Sequence, residues 1–179
     1  KLAHDQFGLE YSVVRPHNVV GVYQNIWDRY RNVIGIWIRQ SMNNESLTIF
    51  GDGTQVRAFS DISFYMKPFE QLMTDHNGET FNIGADKYWT INDAALTVQK
   101  VAAEFDNNVD LVHLEKRNEV HTAYSDHTKA KELLGFNDNT DLEATIREMY
   151  TWAQSQPNRN VEYFDYEIEK NLYSFWKKK

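Results

Sequence analysis

Residues able to do chemistry gather at three places in the 179-residue sequence. The first is Arg15-Pro16-His17-Asn18, which follows the apolar stretch Tyr11-Ser12-Val13-Val14 and precedes a long polar segment. In open α/β sheets ligands bind beyond the carboxyl ends of strands, so polar groups at such an edge are candidate contacts. The plain alternative is an ordinary strand end capped by Asn18, and spacing alone leaves the two even. The second place is Gly51-Asp52-Gly53 followed by Arg57. Its local pattern favours a hairpin turn with a surface arginine. The third is Lys116-Arg117, two cations beside Glu119 in an acidic chain, for which a solvated charge cluster is the simpler reading.

Other chemistries find no support in the spacing. The six histidines, His4, His17, His76, His113, His121 and His127, do not form HExxH, and a metal needs several convergent ligands, so no metal site is expected. Neither a G-x-S-x-G elbow nor a Walker A sequence occurs. Gly51 and Gly53 do not complete the G-x-G-x-x-G turn that lets a backbone approach a dinucleotide. Zero cysteines exclude disulfides and thiolate catalysis. With 26 acidic against 19 basic residues the net charge is −7, which argues against a nucleic-acid partner, since phosphate backbones need a basic face. The sequence contains neither a run of about 18 apolar residues nor a signal-peptide pattern at its start. A soluble, cytoplasmic chain is predicted, with no membrane partner.

The elements that must position these residues follow from periodicity. Leu2, Ala3 and Phe7 suit the end of a helix capped by Gly8, and a strand over Tyr11–Val14 is predicted to stop at Pro16. A helix feeding a short apolar strand is an α/β signature. His17 to Tyr30 reads as one long surface loop. An amphipathic helix is predicted from about Asn32 to Met42, then a strand over Leu47–Phe50, the glycine turn, and an extended piece from Val56 to Phe59. Asp61 to Met73 reads as a helix that Pro68 should break near Lys67, at roughly 3 kcal/mol if it stayed regular. Thr80–Ile83 and Leu111–Leu114 read as strands. Thr90 with Asp93 caps a helix whose face is Ala94, Ala95, Val98, Val101 and Ala102, Lys129–Leu134 is a short helix ended by Gly135, and Thr140 with Glu143 forms a capping box for a helix through Ala153. Trp37, Phe64, Tyr150 and Trp152 are predicted to be core or interface residues. An aromatic, charged tail is expected after Gln156.

Taken in order, several segments resemble the carboxy-terminal half of the extended short-chain dehydrogenase/reductases, the NAD-dependent nucleotide-sugar epimerases and dehydratases. They are Lys1-Leu2-Ala3, Val14-Arg15-Pro16-His17-Asn18-Val19-Val20-Gly21, Leu47 through Arg57, Phe81-Asn82-Ile83-Gly84, Asn118-Glu119-Val120 and Ser125 through Phe136. The resemblance implies the last elements of a Rossmann-like fold plus a small mixed α/β substrate-binding subdomain over 1–156, with the tail over 157–179. It implies that Lys1 is the lysine of a Y-x-x-x-K motif, contributing to catalysis and holding the nicotinamide ribose, and that its tyrosine and the glycine fingerprint lie upstream. Pro16 would then lie beside the nicotinamide of NAD. Asn18 would bind the substrate's sugar or phosphate. Asn32 and Val33 would hold a nucleotide diphosphate at a helix amino terminus, Arg57 would grip it bidentately, and Glu119 would accept from the ribose.

Departures accompany the match. The acidic residues usual at 58 and 63 are Ala58 and Ser63, and the substrate-binding cation three residues before Glu119 is Lys116, with Arg117 in the place of a proline, which leaves open which of the two reaches the diphosphate. By resemblance the implied parent is an NAD-dependent UDP-glucose 4-epimerase-like enzyme acting through a keto-sugar, with a nucleotide-sugar 4,6-dehydratase or decarboxylase of the same family as the alternative. Dimers are common in that family. The chain alone is expected to be inactive, and to self-associate through strand edges near Tyr11 and Phe81. The rival expectation from another class is a non-catalytic nucleotide-sugar-binding or interaction module.

Overall fold

The computed structural model describes residues 1–28, 32–157 and 159. Helix α1 (Leu2–Phe7) ends at Gly8, whose φ of 69° carries its N–H back to the His4 carbonyl. Strand β1 (Val13–Pro16) pairs in parallel with β6 (Thr80–Ile83), Val13 opposite Thr80 and Pro16 opposite Ile83. The strand therefore starts later than expected and includes Pro16 as its last residue, where a missing N–H interrupts little of the ladder. The segment after it is not all loop. Val19–Val20 form β2, parallel to β5 (Ser60–Asp61).

Helix α2 (Val33–Met42) leads to β3 (Leu47–Phe50), which lies parallel to β8 (Leu111–Leu114). Strand β4 (Val56–Ala58) has β7 (Tyr88–Thr90) antiparallel on one side and β9 (Thr122–Ala123) parallel on the other. Gly51-Asp52-Gly53 thus connects strands of two different sheets, which corrects the hairpin expected there. The expected break at Pro68 takes a milder form. A 3₁₀ turn (Ile62–Tyr65) passes into α3 (Met66–Leu72), and Pro68 occupies the first helical turn, where an N–H has no partner within the helix.

Thr90 caps α4 (Ile91–Glu104) as its sequence implies, accepting from the Asp93 N–H at 3.0 Å. Helix α5 (Thr128–Leu134) ends at Gly135, φ 59°. The cap of α6 (Leu142–Gln154) is Asp141, accepting from the Ala144 N–H at 3.1 Å, and not Thr140. Thr140 has other partners: its hydroxyl accepts from the Asp61 N–H at 2.8 Å and donates to Asp138 at 2.7 Å. The tail beyond residue 159 lies outside the described residues.

Two apolar cores result. The larger joins the inner faces of α2, α4 and α6 with Leu47 and Ile49 of β3; Trp37 is fully buried in it and donates its indole N–H to the Thr48 carbonyl at 2.8 Å. The smaller contains Tyr65, Phe81, Ile83, Ala130, Leu134 and Phe136, with Phe64 packed against it. Trp37 and Tyr150 are buried and Trp152 packs on the larger core, as expected for these aromatics. Polar bonds add to the packing: the Tyr65 hydroxyl donates to Ile83 O at 2.9 Å within the smaller core, and the Thr145 hydroxyl of α6 donates to Asp61 of β5 at 2.7 Å. No helix among the described residues is long and apolar enough to cross a membrane.

Candidate functional site

The carboxyl end of β3, the glycine turn, the start of α2 and strand β4 converge on one cavity of about 230 Å³. Ligand pockets usually span roughly 300–1,000 Å³, so this one is sized for part of a ligand of that class rather than all of it. Its wall includes Asn18, Asn32, Val33, Arg57, Arg117 and Glu119. Six of the nine residues singled out from the sequence therefore meet in space although they are spread along the chain.

The geometry of the turn explains why Arg57 arrives there. Gly51 and Gly53 have φ of 77° and 74°, a region that costs glycine little. A Cβ on Gly53 would stand 1.9 Å from Asn92 Oδ1, because the Asn92 amide clamps the turn by donating to the Asp52 carbonyl at 2.9 Å. The Asp52 carboxyl is held below its usual range by hydrogen bonds from Thr54, with a smaller effect from the nearby Lys116 charge. Lys116 packs its stem against Gly51 and does not line the cavity. Arg117 does, with its guanidinium carbon 3.1 Å from the centroid of the Phe50 ring. Of the two cations left open by the sequence, Arg117 faces the cavity.

Arg57 is mostly buried and firmly held. It donates to the Val56 carbonyl at 2.8 Å, the His121 carbonyl at 3.1 Å and Glu119 Oε2 at 3.0 Å. The other Glu119 oxygen accepts from Gln55 Nε2 at 3.0 Å. Gln55 is a site residue that the sequence reading missed, as is Phe50. Both lie inside the Leu47-to-Arg57 segment, but nothing local marks them. Gln55 is buried; its amide nitrogen also donates to Phe50 O at 2.6 Å, and its Oε1 has no hydrogen-bond partner in the structure. The cavity can thus offer two guanidinium groups to an anion and a carboxylate and amide to hydroxyl or N–H groups.

Asn32 precedes α2 with φ 59°, and its side chain makes no cap bond, so the first N–H groups of α2 are available at the cavity rim. Asn18, φ 43°, also borders an adjoining groove with Pro16, Gly21, Tyr23 and Ile62. Pro16 is therefore next to the cavity but not in its wall. Lys1 is exposed and precedes α1, away from the cavity lining. Near Asn18, the His17 imidazole is held below its ordinary value by burial first, then by the charges of His127 and Arg57.

The NAD dependent epimerase/dehydratase family matches residues 1–84. Over that stretch the chain is similar to that family. A UDP-N-acetylglucosamine 4-epimerase from Methanobrevibacter ruminantium, solved in complex with UDP-N-acetylmuramic acid, superimposes with a TM-score of 0.76 at 28% identity, covering 87% of this chain and 50% of that one. A UDP-glucuronic acid 4-epimerase mutant from Bacillus cereus, in complex with a fluorinated UDP-sugar and NAD, gives 0.71 at 26% identity, covering 86% and 48%. Among curated relatives, a UDP-N-acetyl-alpha-D-glucosaminuronate decarboxylase of Bacillus cytotoxicus is 27% identical over 156 residues, 84% of this chain and 48% of the relative. The chain spans about half the length of the curated relatives it matches. Its α/β fold corresponds to the carboxy-terminal half of the epimerase structures.

NAD is bound in the Bacillus cereus neighbour. The glycine fingerprint of a dinucleotide site does not occur in the sequence, and Lys1 is exposed.

Proposed function

We propose that this chain is the substrate-binding part of an NAD-dependent nucleotide-sugar epimerase of the UDP-sugar 4-epimerase type, and that it binds a UDP-sugar in the Arg57 cavity without catalysing a reaction alone. The observation that carries this reading is the convergence of Arg57, Arg117, Glu119, Gln55 and the start of α2 on one cavity. Arg57 and Arg117 supply positive charge for a diphosphate, and the α2 N–H groups add to it. Glu119 and Gln55 present acceptors suited to ribose or base N–H and O–H groups.

In the complete enzyme such a site contributes binding energy remote from the reacting carbon, which positions the sugar. Asn18 stands where the cavity opens toward the Pro16 groove, and in this reading it contacts the sugar or phosphate. Lys1 is the lysine of the catalytic pair and touches the nicotinamide ribose, while Pro16 borders the nicotinamide. NAD supplies hydride acceptance and return when bound. The similarity to a UDP-sugar decarboxylase supports a second reading, in which the same substrate half serves decarboxylation. A homodimer of the complete enzyme belongs to either reading.

Calorimetric titration with UDP, UDP-glucose and NAD tests the proposal. UDP and UDP-glucose are expected to bind, Arg57→Ala to weaken both by about tenfold or more, and NAD to give little heat. Absence of UDP binding by a folded wild-type chain would overturn it.

A further inference from the structure

Asn18 borders both the Arg57 cavity and the Pro16 groove, whereas His17 is in the wall of neither. The backbone of the pair is clamped between two strands. His17 N–H donates to the Ile83 carbonyl of β6 at 3.0 Å, the Ser60 hydroxyl of β5 donates to the His17 carbonyl at 3.3 Å, and the Ser60 N–H donates to the Asn18 carbonyl at 3.2 Å. Gly84 makes room for the ring: a Cβ there would stand 2.9 Å from His17 Cβ and 3.0 Å from His127 Nε2. What keeps its freedom is the Asn18 amide, because the terminal torsion of asparagine is broad.

The amide nitrogen, Nδ2, faces His17 Nε2 at 3.4 Å. An N–H group needs a lone pair opposite it, so Nε2 is the acceptor and the neutral ring carries its proton on Nδ1, which is buried without a hydrogen-bond partner among the described residues. A ring protonated on both nitrogens has no acceptor left. Its Nε2–H calls for the amide oxygen instead, and the amide turns over to point Nδ2 outward. The charge of the ring thus decides whether the Asn18 N–H is spent inward or offered outward. The charged groups acting on the ring are His127, at the start of α5 with Asp86 3.4 Å from its Nδ1, and Arg57 of β4. From β5 comes Ser60, bonded to the Tyr65 hydroxyl at 2.7 Å, and Arg15 on β1 is exposed. Burial and the two neighbouring charges favour the neutral ring.

We propose that His17 and Asn18 couple the binding of an anionic ligand to proton uptake: a phosphate oxygen in the cavity takes the Asn18 N–H, and His17 gains a proton from solvent as the amide turns. This rests on the reading of the cavity as a nucleotide-sugar site, and it makes His17 a positioning residue that acts through Asn18. Phosphate oxygens only accept, so a diphosphate beside Asn18 needs the outward N–H. It also offsets the charge of Arg57, one of the groups that opposes protonation of His17. By linkage, a ligand that favours the protonated ring is bound more tightly as pH falls.

UDP-glucose is the probe, because its diphosphate is esterified at both ends and lacks the group of a terminal phosphate that titrates near about pH 6. Calorimetry at about pH 6 in two buffers of different ionisation enthalpy counts the protons taken up. The wild-type chain is expected to take up about 0.3–0.8 proton per UDP-glucose and to bind about three- to tenfold more tightly at about pH 5.5 than at about pH 8. His17→Gln, whose amide turns with that of Asn18 and gains no proton, should bind UDP-glucose with neither effect. Asn18→Ala should keep less than about half of the uptake, the part that charge alone produces. Circular dichroism confirms the fold of each variant. No uptake by the wild-type chain overturns the coupling, and so does uptake that survives in His17→Gln. Uptake undiminished in Asn18→Ala overturns it too, since the ring would then answer the charge of the ligand without the amide. In these cases the nucleotide site stands. A folded wild-type chain that binds neither UDP nor UDP-glucose overturns the site itself, and the coupling with it.

Discussion

Gly53 is the residue on which the placement of Arg57 depends. Its positive φ and the Asn92 amide against its Cα leave no room for a side chain, and Asn92 in turn belongs to the first turn of α4. Gly53→Ala is expected to cost at least about 2 kcal/mol, from the left-handed backbone and the forced shift of Asn92 together, as a lowered urea midpoint. UDP affinity should fall with it, because the turn and Arg57 move as a unit. His17 gives a second prediction at this scale. Its folded pKa lies below the unfolded value of about 6.5, so the unfolded chain takes up a proton first as pH falls. Its contribution is present above about pH 6.5 and is lost as pH drops toward the folded pKa. Urea midpoints at pH 8 and pH 5.5 should therefore differ more for wild type than for His17→Leu; an equal difference in the two proteins would refute the assignment.

Helix α6 illustrates how an element can be legible while its anchoring is not. Thr140, Glu143 and the apolar spacing after them announce a helix, and it forms, but the cap falls on Asp141 because Thr140 is drawn to the Asp61 N–H of β5. Asp141→Ala is expected to cost about 1 kcal/mol, the ordinary loss of a cap. Thr140→Val should cost at least as much, about 1–3 kcal/mol, since it strands a partly buried N–H, and thermal melts of the two variants would rank them. The same contrast runs through the fold. α4 and β3 could be read from periodicity, whereas β2, β7 and β9, two or three residues each, exist through pairing with β5 and β4 and carry no periodic signal of their own. In the site, Arg57, Glu119 and Asn18 were legible only through the order of the motifs. Gln55 and Phe50 escaped because their roles come from what β8, β9 and the intervening loop place against them. The choice of Arg117 over Lys116 likewise needed the direction of two adjacent side chains.

The whole molecule carries an unbalanced surface. Strands β1 and β6 make a sheet of two parallel strands, an arrangement that normally has both faces and further strands as neighbours. Beside it Leu2, Phe7 and Leu9 are 76%, 82% and 58% exposed, and Val13 of β1 is 37% exposed. On the opposite strand Phe81 is buried, covered by Lys129 and His76. Open backbone groups on a strand edge recruit other chains, and an apolar border strengthens the pairing. The expected outcome is concentration-dependent association of this chain, seen in sedimentation velocity as species above the 21.1 kDa monomer. Phe7→Ser with Leu9→Asp should shift the population toward monomer, without weakening UDP binding, because neither residue borders the Arg57 cavity. A wild-type chain that sediments as a single monomer at all concentrations would show that the α1 and β1 face is tolerated in water. Association that persists in the double variant would place the contact elsewhere.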